Sequence, residues 1–431
     1  MVTVLGFVGM LTLVTGLVHL YLWKRLVRDT SRPGRWRRIG TVAILGLALL
    51  TPATLVGTRQ GLYWLAWPGY LWLAVMFYLL IVLVVLELPL LAVRLTALRR
   101  RVRAGEPPVA VPAGAPSGGI PAATDAGTPQ PATPAGGEVA VPPSTPGAEP
   151  GHDPSRRLLL ARGAAIFAGL TAAGITGYGV RTALGPPRID RVQIPLAKLP
   201  RSMDGLRIAT VSDIHLGPLL GRAHTERIVA TINRLDADLV AVVGDLVDGT
   251  VAELGDAAAP LADLQSRYGA FFVTGNHEYY SGAQEWVAEV RRLGLRVLAN
   301  ERQEILARGG ALDLAGVNDL AGEELEPAAG PDFEAALGGR DPSRPVVLLA
   351  HQPINVHEAA KHGVDLQLSG HTHGGQLAPF NYLVRLQQPA VSGYATIDGT
   401  QLYVTNGAGF WGPPVRVGAP PQVTLVELRT P

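Results

Sequence analysis

The sequence contains no cysteine among its 431 residues. This absence excludes disulfide bonds and metal sites built from thiolates. Charged residues are also scarce, at 17% against about 25% in a typical soluble domain, whereas 48% of the residues are hydrophobic. A membrane portion is therefore the first feature to look for.

Acidic and basic residues are distributed unevenly along the chain. Residues 1–187 hold 17 Lys and Arg against 7 Asp and Glu, whereas residues 188–431 hold 20 against 28, so the net charges of the two parts are +10 and −8. The basic, apolar N-terminal part fits a membrane anchor. The acidic C-terminal part indicates that nucleic acid is not a partner, because binding to a phosphate backbone needs clustered Lys and Arg.

Three N-terminal stretches are long enough to cross about 30 Å of hydrocarbon as helices: residues 2–23, 39–57 and 62–93. Seven basic residues lie between the first two stretches and five follow the third, but only Arg59 lies between the second and the third. By the positive-inside rule, the two basic segments are cytoplasmic and the N-terminus lies outside. We therefore predict a membrane domain over residues 1–103 with three transmembrane helices.

Residues 104–157 are rich in Pro, Ala and Gly and contain few charged or large apolar side chains. Such a segment cannot bury enough surface to offset its chain entropy, so we predict a disordered cytoplasmic linker. An apolar segment over residues 158–185 follows Arg156 and Arg157. Two interpretations stay open for it, a fourth transmembrane helix or a twin-arginine-like signal anchor. Both place residues 186–431 outside the cytoplasmic membrane.

From residue 206 onward, short apolar runs typical of buried strands alternate with amphipathic helical patterns. The predicted strands cover residues 207–211, 239–243, 270–273, 346–349 and 366–368. The predicted helices cover residues 222–235, 252–267 and 284–293. This alternation predicts an α/β domain whose site lies at the C-terminal ends of the strands.

Five short polar motifs occur where apolar strands end, and they cover residues 212–215, 244–248, 275–278, 350–352 and 370–375. In the first motif, Asp213 and His215 stand two residues apart. On extended backbone both side chains would project to the same side, so they could bind one ion together. A single Asp or His at a strand end is more often a loop residue with local hydrogen bonds. Five motifs at successive strand ends indicate a shared metal site instead.

These motifs resemble those of the calcineurin-like metallophosphoesterase family, in particular a membrane-associated bacterial branch with the ending Gly-His-Thr-His-Gly-Gly-Gln at residues 370–376. The resemblance covers approximately residues 206–428. It implies a four-layer α-β-β-α sandwich, with two β-sheets inside and helices outside, preceded by transmembrane helices. One departure is Gln422, which stands where Glu is expected and lies outside the metal motifs.

The resemblance also assigns roles to the motif residues. It implies two divalent metal ions that share Asp245, with Asp213, His215 and His373 on one ion and Asn276, His351 and His371 on the other. These nitrogen and oxygen ligands suit Mn, Fe or Zn, and the choice among the three stays open. Two such ions lower the pKa of a shared water, so the expected nucleophile is a metal-bridging hydroxide. The resemblance further implies that His277 is the general acid and that Asp248 orients it.

We therefore expect a metal-dependent phosphoesterase at the outer membrane surface. Its substrate would be a phosphodiester, a phosphomonoester or a pyrophosphate, in a lipid head group, a cell-wall intermediate or an exported nucleotide. The alternative from another class is a catalytically inactive membrane sensor or binding protein, which would be marked by the loss of a metal ligand. All seven expected ligands are present, which favours the enzyme. No feature of the sequence predicts an oligomeric state.

Overall fold

The computed structural model describes residues 2–103, 154–325 and 329–431. Most of the predicted linker, residues 104–153, therefore lies outside the described residues. The last four residues assigned to it, 154–157, are helical. The helix begins there at a proline, a residue whose missing N–H costs nothing at the first helical position.

Four long helices form the N-terminal region. They are α1 (Val2–Leu22), which continues into a π-helical turn (Trp23–Arg28), α2 (Arg35–Gly57), α3 (Ala66–Arg103) and α4 (Pro154–Leu184). Within the described residues, three segments are long and apolar enough to cross a membrane, and they are Arg35–Gln60, Tyr63–Pro89 and Ser155–Leu184.

A shared apolar core joins these helices. Leu22, Ile44, Leu79 and Ala172, one from each helix, belong to the same buried cluster. Near the start of α4, Nε of Arg162 donates a hydrogen bond of 3.0 Å to the backbone carbonyl of Thr30. The start of α4 therefore lies beside the basic connection between α1 and α2, where an arginine can reach the membrane interface.

The C-terminal region contains two six-stranded sheets. Their strands are β1 (Arg188–Pro195), β2 (Leu206–Val211), β3 (Leu239–Val243), β4 (Ala270–Val273), β5 (Arg296–Val297), β6 (Glu301–Ala307), β7 (Gly310–Gly316), β8 (Val346–Leu349), β9 (Leu366–Ser369), β10 (Gly393–Ile397), β11 (Thr400–Val404) and β12 (Gln422–Arg429). The strand order is β1-β12-β2-β3-β4-β5 in the first sheet and β10-β11-β9-β8-β7-β6 in the second.

The central strands of each sheet run parallel. These are β2 to β5 in the first sheet and β7, β8, β9 and β11 in the second. Their C-terminal ends therefore meet at one edge of each sheet, which is where α/β proteins place their sites.

Eight shorter helices accompany the sheets. They are α5 (Arg222–Asn233), α6 (Val251–Ala258), α7 (Asn276–Ser281), α8 (Ala283–Arg292), α9 (Ala321–Leu325), α10 (Phe333–Leu337), α11 (Val356–Lys361) and α12 (Asn381–Val384). The predicted helix over residues 252–267 is too long, because α6 ends at Ala258 and a 3-10 turn follows. Pro260 explains this end, since proline cannot donate the next helical hydrogen bond.

Buried clusters define the layers of the domain. The inner faces of the two sheets share one core, in which Ile208 and Val243 of the first sheet join Leu314 and Leu349 of the second. The outer face of the first sheet packs on helices that include α8, through the buried Trp286. The outer face of the second packs on α10 and α11. The fold is therefore the expected four-layer α-β-β-α sandwich.

Candidate metal centre

The predicted ligands come together where the parallel strands of the two sheets end. The first sheet supplies four of them from the loops after β2, β3 and β4, and the second supplies three from the loops after β8 and β9. Among the described residues, three overlapping groups have ligand atoms within 4.8 Å of one another. Two of them match the implied ligand sets, with Asp213, His215 and His373 in the first group and Asp245, His351 and His371 in the second, and the third joins His215, Asp245 and His277.

Asp245 lies between the two groups. Its Oδ2 atom is 3.1 Å from Nε2 of His351 and 3.7 Å from Nε2 of His215. Asn276 joins the second group, because its Oδ1 atom lies 3.0 Å from Nδ1 of His371. The structure therefore brings together all seven side chains that the resemblance implies as ligands.

The polar atoms of the site fit divalent cations. Nε2 of His351 is buried and faces Oδ2 of Asp245 at 3.1 Å, a pairing of imidazole and carboxylate that suits a divalent cation. Nε2 of His215 and Nε2 of His373 lie 3.0 Å apart, so both nitrogens face the same small space. Imidazole nitrogens and the oxygens of carboxylate and amide groups are ligand atoms suited to Mn, Fe or Zn.

The backbone at the site adopts an uncommon conformation. Five ligands have left-handed φ angles: +51° at Asp213, +50° at His215, +52° at Asp245, +71° at His371 and +52° at His373. Each such non-glycine residue costs on the order of 1–3 kcal/mol. The expectation that Asp213 and His215 lie on extended backbone is wrong. Tight turns at the strand ends, rather than an extended strand, direct these side chains into one cleft.

Two glycines allow the loops after β3 and β4 to approach each other. A Cβ atom at Gly244, where φ is +74°, would lie 2.6 Å from the backbone nitrogen of Gly275 and from Nδ1 of His351. A Cβ atom at Gly275 would lie 2.2 Å from Oδ1 of Asp245. Any larger residue at either position would push the loops apart and displace the shared carboxylate.

Hydrogen bonds to the backbone orient several ligands. Nδ1 of His351 lies 2.9 Å from the carbonyl oxygen of Val243, which leaves Nε2 for an ion. The backbone N–H of His371 donates to Oδ1 of Asp213 over 3.0 Å. Ligating histidines are commonly held in this way through the ring nitrogen that does not bind the metal.

His277 lies beside the two groups. Its Nδ1 atom is 2.6 Å from Oδ1 of Asp248, and its backbone N–H donates to Oδ1 of Asp245 over 2.9 Å. Burial alone would lower the pKa of His277, but the charges of Asp245 and Asp248 raise it to about 9. Bound cations would bring this pKa down towards neutral pH, where a general acid works best.

Asp248 contacts two histidines. Its Oδ1 atom lies 2.9 Å from Nδ1 of His215 as well as 2.6 Å from Nδ1 of His277. Burial would raise the pKa of Asp248, but the two histidines outweigh that effect and lower it below its usual range. The sequence indicates only the contact with His277, so the structure adds a second role in orienting a ligand.

Glu278 has a structural role that the sequence analysis does not assign. Its buried carboxylate accepts backbone N–H groups of Asp245, Leu246 and Gly275 over 3.0, 2.8 and 2.6 Å. Burial, together with the charge of Asp245, raises the pKa of Glu278 to about 7. The side chain thus joins the loops after β3 and β4. Its position three residues after Gly275, at the start of α7, is the signal that could have revealed it.

Arg416 links a ligand loop to the membrane helices. Its guanidinium is fully buried, with Nη1 donating to the carbonyl of His373 over 2.7 Å and Nε donating to the carbonyl of Gly409 over 3.0 Å. Burial lowers the pKa of Arg416 to about 10, so the group stays charged at neutral pH. The backbone N–H of Arg416 donates to the carbonyl of Gly179 in α4 over 3.0 Å.

The four-layer fold and the clustered Asp, Asn and His side chains suit a metal site, and comparisons with known proteins give the family of the chain. A family model described as calcineurin-like phosphoesterase matches residues 206–375. An uncharacterized metallophosphoesterase from Helicobacter pylori strain J99 is 38% identical over 277 residues, which are 64% of this chain and 73% of that protein. A second, from Bacillus subtilis, is 30% identical over 278 residues, which are 62% of this chain and 94% of that protein. The chain belongs to the calcineurin-like metallophosphoesterase family.

A vertebrate relative is also a membrane protein by name. The transmembrane protein with metallophosphoesterase domain from Danio rerio is 39% identical over 272 residues, which are 61% of this chain. This chain spans 62% of the length of that relative and 64% of the length of its counterpart from Bos taurus.

Proposed function

We propose that this protein is a two-metal phosphoesterase that hydrolyses a phosphoester bond at the membrane surface. Membership of the family supports phosphoesterase activity in general. The position of Asp245 carries the finer proposal, because its Oδ2 atom lies between the two ligand groups. Asp213, His215 and His373 would hold one ion, Asn276, His351 and His371 would hold the other, and both ions would share Asp245.

Two bound divalent ions would supply charge stabilisation for the phosphoryl oxygens and would activate water for in-line attack. The protein itself supplies the proton for the leaving group. Because Nδ1 of His277 is 2.6 Å from Asp248, Nε2 is the nitrogen that would donate to the departing oxygen. Asp248 keeps the ring in one orientation and stabilises its positive charge before the transfer.

The test uses the full-length protein in proteoliposomes. After chelation, we expect hydrolysis of nitrophenyl phosphoesters to disappear, and Mn²⁺ to restore it with two ions bound per chain. A panel of phosphomonoesters, phosphodiesters and lipid pyrophosphates would then identify the preferred bond. Binding of a single ion would contradict the two-metal proposal. Two bound ions without hydrolysis of any ester would favour the inactive sensor instead.

We also propose that the catalytic domain and the N-terminus lie outside the cytoplasmic membrane. The basic residues between α1 and α2 and at the end of α3 support this orientation. The contact of Arg162 with Thr30 supports it as well, since it brings the start of α4 to the same side. A reporter that is active only outside should be active after Pro431 and silent near Thr128. The reverse pattern would place the enzyme in the cytoplasm.

A further inference from the structure

A group of exposed apolar side chains lies beside the metal centre. The segment around α12 exposes Phe380, Tyr382, Leu383 and Leu386, the last of them 80% exposed, and Trp411 is 59% exposed. These five residues form what we term the apolar rim. Single apolar residues on a surface are common, but a group of this size next to a site indicates an apolar partner.

Close contacts join the apolar rim to the ligand loops. Gly375 packs so tightly against α12 that a Cβ atom there would lie 2.4 Å from Cα of Asn381. The backbone N–H of Trp411 donates to Oε1 of Gln376 over 3.0 Å, and Nε2 of Gln376 donates to the carbonyl of Trp411 over 2.9 Å. The indole of Trp411 lies 6.1 Å from the ring of His277, between centroids. The rim therefore borders the cleft.

The same part of the domain rests on the membrane helices. Val415 is buried in the apolar core of those helices, and Leu377 and Val417 pack against it. Gly179, whose carbonyl accepts the N–H of Arg416, lies five residues before the end of α4, which is about 8 Å along the helix axis.

The length of α4 indicates where this contact lies relative to the bilayer. The 31 residues of α4 measure about 46 Å, compared with about 30 Å of hydrocarbon in a bilayer. With the helix centred, each end extends about 8 Å beyond the hydrocarbon, so Gly179 lies near its boundary with the head groups. Because Leu377 contacts the helices and precedes Phe380 by three residues, the apolar rim lies near this level too.

Aromatic residues between α2 and α3 also indicate the position of the membrane interface. Trp64, in the connection between α2 and α3, is exposed, and the hydroxyl of the neighbouring Tyr63 donates to Glu253 of the catalytic domain over 2.9 Å. Trp and Tyr concentrate at membrane–water interfaces. Residues 377–397 contain one basic residue, Arg385, and no acidic residue. The segment therefore has no negative charge that would repel phosphate head groups.

We propose that the apolar rim inserts into the interfacial layer of the membrane and that the substrate is an amphiphile, a phosphoester or pyrophosphate that carries a lipid chain. This inference rests on the proposed phosphoesterase function and adds the class of substrate. Pulling a lipid chain into water costs about 0.8 kcal/mol per CH₂. A cleft bordered by an inserted rim avoids that cost, because only the head group has to leave the bilayer.

The absence of cysteine permits a direct test of insertion. A spin label would be attached to Leu386→Cys, and to Leu306→Cys as a matched control, in proteoliposomes. Leu306 is a 68% exposed leucine on β6, paired with Ala311 at the start of β7 and therefore remote from the strand ends that carry the site. We expect the label at 386 to be reached by oxygen and protected from a water-soluble nickel chelate, and the label at 306 to show the reverse. Equal access of nickel to both labels would overturn insertion, whether or not the protein hydrolyses any ester.

A second experiment tests the substrate class. Phospholipid esters and lipid pyrophosphates would be compared with a soluble nitrophenyl phosphoester in the same proteoliposomes. The double variant Phe380→Ser, Leu386→Ser should lower the ratio of kcat/KM for the lipid substrate to that for the soluble ester by about tenfold, the effect of a 1.4 kcal/mol loss. Leu306→Ser should leave the ratio unchanged.

The outcomes separate the two proposals. Equal losses on both substrates, or hydrolysis of the soluble ester alone by the unmodified protein, would overturn the lipid substrate while leaving the phosphoesterase function intact. Hydrolysis of neither substrate by the metal-loaded protein would overturn the function and the substrate class together. The labelling result would still decide whether the rim inserts.

Discussion

Buried histidines in the membrane helices and at the metal centre have different partners. Between α1 and α3, Nε2 of His19 accepts a hydrogen bond from Nε1 of Trp72 over 3.1 Å, and Nδ1 lies 2.8 Å from the carbonyl of Thr15. Both ring nitrogens therefore have partners. At the metal centre, in contrast, Nδ1 of His351 lies 2.9 Å from the carbonyl of Val243, and its Nε2 faces the carboxylate of Asp245 at 3.1 Å.

Backbone conformation also differs between the membrane helices and the C-terminal region. Among the described residues, every non-glycine residue with a left-handed φ angle lies in the C-terminal region, and five of them are predicted ligands. The membrane helices also contain buried hydroxyls without a hydrogen-bond partner, on Tyr78 and Thr176, so an unpaired polar atom does not by itself indicate a metal site. The metal centre differs from the membrane helices in its clustered imidazole and carboxylate groups and in the left-handed backbone of five predicted ligands.

The largest effect should come from the carboxylate that the two ligand groups share. Asp245→Asn should abolish turnover and weaken both ions, because each loses an anionic ligand. Metal content of the purified variant and its hydrolysis of nitrophenyl esters provide the measurement. Asp263→Asn, an exposed aspartate after α6, is the matched control and should retain both properties. Two tightly bound ions with normal turnover in Asp245→Asn would refute the shared position.

The next largest effect should come from the proton donor. His277→Ala should keep both ions but slow hydrolysis by about 10²- to 10⁴-fold, the usual contribution of a positioned general acid. The defect should be smaller for nitrophenol esters, whose leaving group departs without a proton. His357→Ala removes an exposed histidine of α11 and serves as the control. An equal loss for good and poor leaving groups would indicate a role in binding instead.

A smaller effect is expected at the carboxylate that joins two loops. Glu278→Gln places an NH₂ group against backbone N–H donors, so the free energy of unfolding should fall by about 1–3 kcal/mol. Metal affinity should fall with it, because the loop that carries Asp245 is released. Thermal unfolding and metal titration would show this, with the exposed Glu285→Gln as control. Unchanged unfolding would mean that the three N–H groups find other acceptors.

The smallest effect is expected within the membrane helices. His19→Leu leaves Nε1 of Trp72 without its acceptor and should lower stability by about 0.6 kcal/mol, the average for hydrogen bonds between membrane helices. Turnover should stay within about threefold of the unmodified protein, because 0.6 kcal/mol corresponds to less than a threefold change. Thermal unfolding in detergent and turnover in proteoliposomes would be compared. A large loss of turnover would break the contrast, since a satisfied polar group would then be functional.

The parts of the fold that lead into the site were predictable from local sequence. All five predicted strands are present, with ends that differ from the prediction by at most one residue, because each is a continuous apolar run that stops at a polar motif. The remaining strands were not predicted. β1 alternates polar and apolar residues, and it pairs with β12 from the far end of the chain, so no neighbouring segment indicates it.

One missed hairpin did have a readable signal. β6 and β7 are joined by Arg308 and Gly309, whose φ angles are +51° and +80°. A two-residue connection with both angles positive is the favoured hairpin turn, and glycine at its second position is typical. Arginine at the first position, where Asn or Asp is usual, concealed it.

Residues that reach the site through long-range contacts could not be predicted from the sequence. Arg416 reaches His373 and Gly409 through its side chain and Gly179 through its backbone. Local sequence does not bring these segments together. The ligands themselves could be located in the sequence, because each lies within four residues of the end of a strand that was predicted.

The contact between Gly179 and Arg416 shows that the C-terminal domain does not end, in its packing, where it ends in the sequence. Part of α4 belongs to its packed interior. A Cβ atom at Gly179 would lie 2.4 Å from Cγ1 of Val415, whereas one at Gly174 in the same helix would meet nothing within 4 Å. Cutting the chain near residue 186 would expose Val415 to water and leave the N–H of Arg416 without its acceptor. The loop that carries His373 would then be less well supported, because Arg416 holds its backbone. A fragment without the helices would therefore be a domain with a damaged interior, and it would differ from the same domain in the full-length protein.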